Sequence, residues 1–263
     1  MFDTLIAEFA ALAFADAQSI FFLAGVFARM GAAAFLAPGL GDATTPMRVR
    51  LFAAFALTAV AAPAAQPANL QLGGASDIAS ILLVEASVGL LIGLTIRFAV
   101  MALHVAGSIA SQAMQLSQLF GPGVGHEQES QIATLLMMAG VAIACAAGLH
   151  VELALAFSRT YAVVPFGAAF PAADAAQQIV EHASHAISLG FSLAIPFLIL
   201  GFAYSLALGA MNRAMPQLAV AFVGAPIAIS AGAVLLGLCA TLIISRWSDK
   251  AALIFAAPFG ASP

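Results

Sequence analysis

The chain has 263 residues, of which 63% are hydrophobic and only 8% charged, and its mean hydropathy is +1.07. So few charges cannot cover the surface of a soluble domain. The formal net charge of −4 is spread thinly over loops, which excludes a nucleic-acid-binding surface.

The apolar residues fall into six blocks divided by short Gly, Pro and polar segments: approximately Ile20–Ala37, Val49–Ala65, Ile78–Leu116, Ile132–Tyr161, Ala186–Met211 and Leu218–Ile244. Several exceed the ~18–20 apolar residues that cross a hydrocarbon core of about 30 Å. Backbone groups in lipid must be satisfied within the segment, and the Ala, Leu and Met content favours helices over barrel strands. The expected fold is an all-α, polytopic membrane-type protein with long, kinked and broken helices.

Met1–Gln18 carries Asp3, Glu8 and Asp16 but no basic residue before Arg29, so it is not expected to be a removable signal peptide. Thr45-Pro46 reads as an N-cap with Pro at the first helical position of the second block. Ser76, after Gly73-Gly74, is expected to cap the third block. That block's 39 residues would form a rod of about 58 Å, nearly two bilayer cores. It must therefore bend, project or fold back, with Gly89, Gly93 and Gly107 as bend or close-packing points.

Downstream, Gln112–Gln131 interleaves Met114, Leu116, Leu119 and Phe120 with Gln and Ser before Gly121-Pro122-Gly123. A solvated loop does not favour such bulky apolar residues; they are expected to pack against protein, as inside a channel. Asp174 and Gln177 resemble a capping box. Pro196, and Gly224 with Pro226, are expected to interrupt the backbone ladder of the last two blocks. Pro216 opens the sixth block. The linkers Pro63–Gly74 and Val164–Ala173 are short, so the chain reads as one domain over residues 1–263. The basic clusters Arg48/Arg50, Arg213 and Arg246/Lys250 give a split vote on orientation, which suggests that not every block is a simple span.

Nothing in the sequence argues for catalysis. Cys145 and Cys239 lie in apolar blocks and read as small hydrophobes. His182 and His185 share a polar helix start near Glu181, and His150-Val151-Glu152 lacks the two-His spacing of a zinc protease. No nucleophile elbow, phosphate loop or Cys-x-x-Cys is present.

Glu85 lies deep inside an apolar run. A carboxylate at a bilayer centre costs roughly 2.5–3.5 kcal/mol, so it must face protein or water. One reading is a proton or ion site, as in a coupled secondary transporter. The favoured reading is a packing group, hydrogen-bonded to a partner subunit or to a freed backbone group. On that reading Arg29, Glu85 and Arg97 await satisfaction by partner chains, and Glu85→Gln should leave function largely intact.

Several segments, in order, resemble the FliR/SctT family of type III protein-export gate subunits. Arg29, Pro38, Gly41 and Pro46-Met47-Arg48-Val49-Arg50 match its Arg…Pro…Gly…Pro-x-x-Val-Arg pattern. Glu85-x-x-x-Gly89-x-x-x-Gly93 is similar to its Glu-Gly-Gly stripe. Ala106-Gly107, Met114 and Leu116-Ser117 match the helix end before its central loop, and Gly148-x-His150, Ser158, Pro165 and Gly167 follow in register. The most specific piece is Asn212-Arg213-Ala214-Met215-Pro216-Gln217-Leu218, then Val223-Gly224-x-Pro226. Ala219 and Ala228 depart from the family's usual Asn and Lys, and Ala113 and Gln115 from its Gln and Gly.

The resemblance implies a structural subunit without enzymatic activity or cofactor, in which a FliP-like part is joined to a FliQ-like part. It implies assembly with FliP-like and FliQ-like subunits in the bacterial inner membrane at the flagellar basal body, beside FlhA-like and FlhB-like export components. The pore so formed passes unfolded proteins, and the loop carrying Met114, Leu116, Leu119 and Phe120 helps block it. Glu85, Gly89, Gly93, Pro216, Gln217, Gly224 and Pro226 become helix-packing and assembly residues.

Overall fold

The computed structural model describes residues 2–42, 45–65, 75–114, 131–214, 220–256 and 259. The described residues form helices α1 (Phe2–Leu36), α2 (Met47–Ala61), α3 (Ala75–Ala113), α4 (Gln131–Ala146), α5 (Leu149–Val163), α6 (Ala172–Ala214) and α7 (Val220–Ala256), with no strand among them. The fold is all-α. Four helices contain stretches long and apolar enough to cross a membrane: Gln18–Leu36, Ser76–Ala113, Ala172–Ala214 and Pro226–Phe255. Ile132–Ala146 and His150–Val163 would make a fifth if taken as one broken span.

The helix ends differ from expectation in instructive ways. Pro46, not Thr45, occupies the N-cap of α2; the Thr45 hydroxyl instead donates to the Gly39 carbonyl at 2.6 Å. The hydroxyl serves the turn before the helix rather than the helix itself. Ser76 and Asp174 both lie inside first turns, because α3 starts at Ala75 and α6 at Ala172. An acidic residue there complements the positive end of the helix without capping it. The apolar run Ile132–Tyr161 is two helices, α4 and α5, divided at Ala147-Gly148.

Gly148 has φ +83°, a left-handed conformation, and a Cβ added there would meet no atom within 4 Å. Substituting alanine therefore isolates the backbone penalty: Gly148→Ala should cost about 1–2 kcal/mol. A thermal denaturation series in detergent that shows no loss would mean that this break straightens readily.

In contrast, α6 continues through Pro196 and α7 through Gly224 and Pro226. Each proline removes one ladder bond, yet the helix runs on; the Pro226 carbonyl accepts the Ser230 hydroxyl at 2.8 Å. The described part of the third block likewise lies in one unbroken helix, Ala75–Ala113, that does not fold back.

Contacts sort the chain into two compact units. The first comprises residues 1–97, 148–180 and 254–263. In it α2 packs on α1 and α5, and Val26, Met30, Ile92, Ile96 and Phe157 are fully buried. Phe22 and Phe27 of α1 pair with Phe166 and Phe55. Gly89 and Gly93 of α3 lie directly on α1: Gly89 faces the Arg29 carbonyl and Ala32, and Gly93 faces Ala33 and Leu36. Both partners advance in the same direction, so the two helices run parallel through this contact.

The second unit comprises residues 98–147 and 181–253. Trp247 is its largest fully buried side chain, and its Nε1–H donates to the Ala99 carbonyl at 2.7 Å. Small residues again mark close helix approaches, with Gly107 against Ala133 and Gly190 against Ala102 and Val105. Met114, at the end of α3, is 1% exposed in this unit.

Candidate functional site

The first unit holds a buried polar cluster around Arg29 and Glu85, both 0% exposed. Arg29 Nε donates to Glu85 Oε2 at 2.7 Å and Nη2 to Oε1 at 3.0 Å, a bidentate pair. The remaining arginine nitrogen, Nη1, donates to the Val164 carbonyl at 3.0 Å. The guanidinium carbon sits 3.9 Å from the centre of the Tyr161 ring. Glu85 Oε1 also accepts the Gly167 N–H at 2.8 Å, and the Tyr161 hydroxyl lies 3.4 Å from Oε2.

These bonds join α1, α3, the end of α5 and the turn after it. Gly167 has φ +77° in that turn, which aims its N–H at the carboxylate. Phe166 beside it covers Gly25, where an added Cβ would stand 2.5 Å from the ring. Both carboxylate oxygens and all three guanidinium nitrogens have partners, so the ion pair forms a neutral network. Arg29 and Glu85 satisfy each other within the chain; neither awaits a partner chain, contrary to the expectation from sequence.

A second polar knot lies at the C-terminal end of α1. Asp42 Oδ2 accepts the Gly39 N–H at 2.9 Å, and the Asp42 carbonyl accepts Arg50 Nη2. Arg97 Nη1 lies 3.5 Å from the Leu36 carbonyl and 4.0 Å from Asp42 Oδ1, with its side chain 40% exposed. Arg97 thus sits where the carbonyls of α1 end and where a cation is favoured, while Arg50 holds the turn that follows. Arg97, expected to be embedded, is instead a half-exposed cap for another helix.

Of the other residues marked from sequence, Gly89 and Gly93 lie next to the Arg29–Glu85 cluster on the same face of α3. Pro226 is exposed on α7, and Gly224 lies within the same helix. Leu116, Leu119, Phe120, Pro216 and Gln217 lie outside the described residues, so of the apolar loop set only Met114 is described, and it is buried. No group of three or more His, Cys, Asp or Glu side chains that could hold a metal occurs among the described residues. Tyr161, Val164 and Phe166 are cluster members that the sequence did not single out for this role. The available signal was Pro165-x-Gly167 placed just after a helix whose last turn carries Tyr161.

A helix-only fold with four membrane-length helices and a neutralised ion pair in one core defines an all-α polytopic membrane protein. The sequence model of the bacterial export proteins, family 1, matches residues 20–253, and the chain belongs to that family. It is 34% identical over 243 residues to the flagellar biosynthetic protein FliR of Caulobacter vibrioides, covering 90% of this chain and 96% of that one. The FliR of Escherichia coli is 29% identical over 209 residues, 79% of each chain. That of Aquifex aeolicus is 25% identical over 217 residues, 82% of this chain and 83% of its own.

Proposed function

We propose that this chain is a structural, non-enzymatic subunit of the flagellar type III protein-export gate. In this reading it works as a single export-gate module in the bacterial inner membrane, at the flagellar basal body. It assembles with FliP-like and FliQ-like subunits, next to FlhA-like and FlhB-like components, around a pore for unfolded flagellar proteins. The match to the export family over residues 20–253 is the observation that carries it.

Surface chemistry supports assembly. Helix α2 has 15 residues, about 22 Å, too short to span a bilayer, yet it exposes Met47, Phe52 and Phe55, with Phe52 at 77%. An apolar face on a non-spanning helix calls for protein neighbours. The bidentate pair supports a packing role for Glu85 and removes from the transporter alternative the one deep acid it relied on.

Deleting the chain should abolish filament growth and export, with both restored by the intact protein. The tagged chain should bring FliP-like and FliQ-like subunits with it on purification. A monodisperse, thermally stable monomer with no affinity for those subunits would sink the proposal. The pore-blocking role of the loop has its own test: deleting Leu116–Phe120, with buried Met114 kept, should leave the complex assembled but raise its resting ion conductance. A deletion complex as tight as the intact one would assign the loop to packing.

A further inference from the structure

In the second unit, α6 and α7 enclose a groove of about 390 Å³ whose walls are Leu189, Leu193, Pro196, Leu242 and Ile243. One end is different. Arg246 and Lys250, one helical turn apart on α7, both line the groove and are exposed. No hydrogen bond or salt bridge to either cation occurs among the described residues. Asp249 lies beside them in sequence but is not in the lining, and the other polar side chain in the wall is the Ser192 hydroxyl.

Beyond Pro196 the same helix pair carries a second groove of about 620 Å³, lined by Leu200, Pro226 and Leu235 among others and containing no charged side chain. Along α7 the lining residues Ala231, Leu235, Leu238, Leu242, Arg246 and Lys250 advance in steps of three and four, so they follow one face. From Ile243 back to Pro226 that face runs about 25 Å, more than the ~15 Å of one leaflet of hydrocarbon.

An apolar channel of leaflet length with two cations at one end has the form of an amphiphile with an anionic head. We propose that this groove binds an anionic glycerophospholipid, its phosphate between Arg246 and Lys250 and an acyl chain along Leu193, Pro196 and Leu242. The setting agrees: in the candidate span Pro226–Phe255 an apolar stretch of 18 residues is only 17% buried within the chain, and the cations stand near the span's end, where headgroups lie. Basic side chains at a helix end also snorkel to that level. The inference is independent of the export reading, since it needs only a bilayer around α6 and α7.

The test is native mass spectrometry of the full chain, purified in detergent and titrated with dioleoyl phosphatidylglycerol or dioleoyl phosphatidylcholine. Phosphatidylglycerol should be retained roughly thirtyfold better, the scale set by two interfacial cations at about 1 kcal/mol each. The R246Q/K250Q chain should lose that preference, while R246K/K250R, which keeps both charges, should hold it. Leu193→Trp, which fills the groove without touching the cations, should weaken both lipids together. Inorganic phosphate at millimolar concentration should not compete. Equal retention of the two lipids, or a preference that survives R246Q/K250Q, would overturn the proposal. So would an assembled complex that carries no lipid because a partner helix occupies the groove.

Discussion

Replacing Arg29 or Glu85 alone by methionine is expected to cost the folded chain about 3–5 kcal/mol, because each change strands a buried charge. Glu85→Gln should be nearly as damaging as Glu85→Met. The carboxylate accepts from Arg29 at both oxygens and from the Gly167 N–H. An amide turns one acceptor into a donor facing donors, and it leaves the guanidinium unneutralised. The structure therefore reverses the expectation that the amide would be tolerated, and loss of export with Glu85→Gln is no sign of proton coupling. The double variant R29M/E85M removes both charges together and should show a coupling energy of about 2–3 kcal/mol relative to the singles. It will not match the wild type, since the Val164 carbonyl and Gly167 N–H lose their partners. Tyr161→Phe, which keeps the ring over the guanidinium and loses one 3.4 Å contact, should cost about 1 kcal/mol or less. Thermal stability in detergent, read by size-exclusion recovery, measures all five. Additive single-variant effects would falsify the account of the cluster as one unit.

Glu85 and Arg29 were each visible in the sequence, as a deep acid and as the first basic residue of the chain. Their pairing was not. They are 56 positions apart, and their meeting depends on the parallel register of α1 and α3, which periodicity within either block does not encode. The all-α membrane class was legible because composition and block length are themselves the physical requirement for crossing lipid. Helix interruptions were misplaced for a related reason. Proline at 196 and 226 costs one bond each, which a long helix packed on neighbours absorbs, whereas Gly148 takes a backbone conformation that continues no helix. The capping residues erred by one to three positions, the usual uncertainty where Ser, Thr and Asp serve equally well before or inside a first turn.

The tightest helix contact beside the cluster yields the other large expected effect. A Cβ on Gly89 would fall on the Arg29 carbonyl oxygen and lie 2.9 Å from Ala32 Cβ; one on Gly93 would lie 2.7 Å from the Ala33 carbonyl oxygen and 2.8 Å from Leu36 Cβ. Backbone atoms cannot rotate aside as a flexible side chain can, so α1 and α3 must move apart. Gly89 is one turn from Glu85 on α3, and the same displacement would stretch bonds now at 2.7 and 3.0 Å. Gly89→Ala should therefore cost about 1–3 kcal/mol through overpacking, and Gly89→Leu more, as strain and loss of the ion pair combine. Gly209 and Gly237 supply the control, for a Cβ at either meets nothing within 4 Å. Alanine there should leave the isolated chain unchanged or raise its stability by up to ~1 kcal/mol, since alanine is the better helix former. Measured together by thermal denaturation in detergent, the four positions should separate into two harmful and two harmless. Gly89→Ala behaving like Gly237→Ala would mean that α1 and α3 do not meet at this distance, and the buried pair would lose the contact that holds it in register.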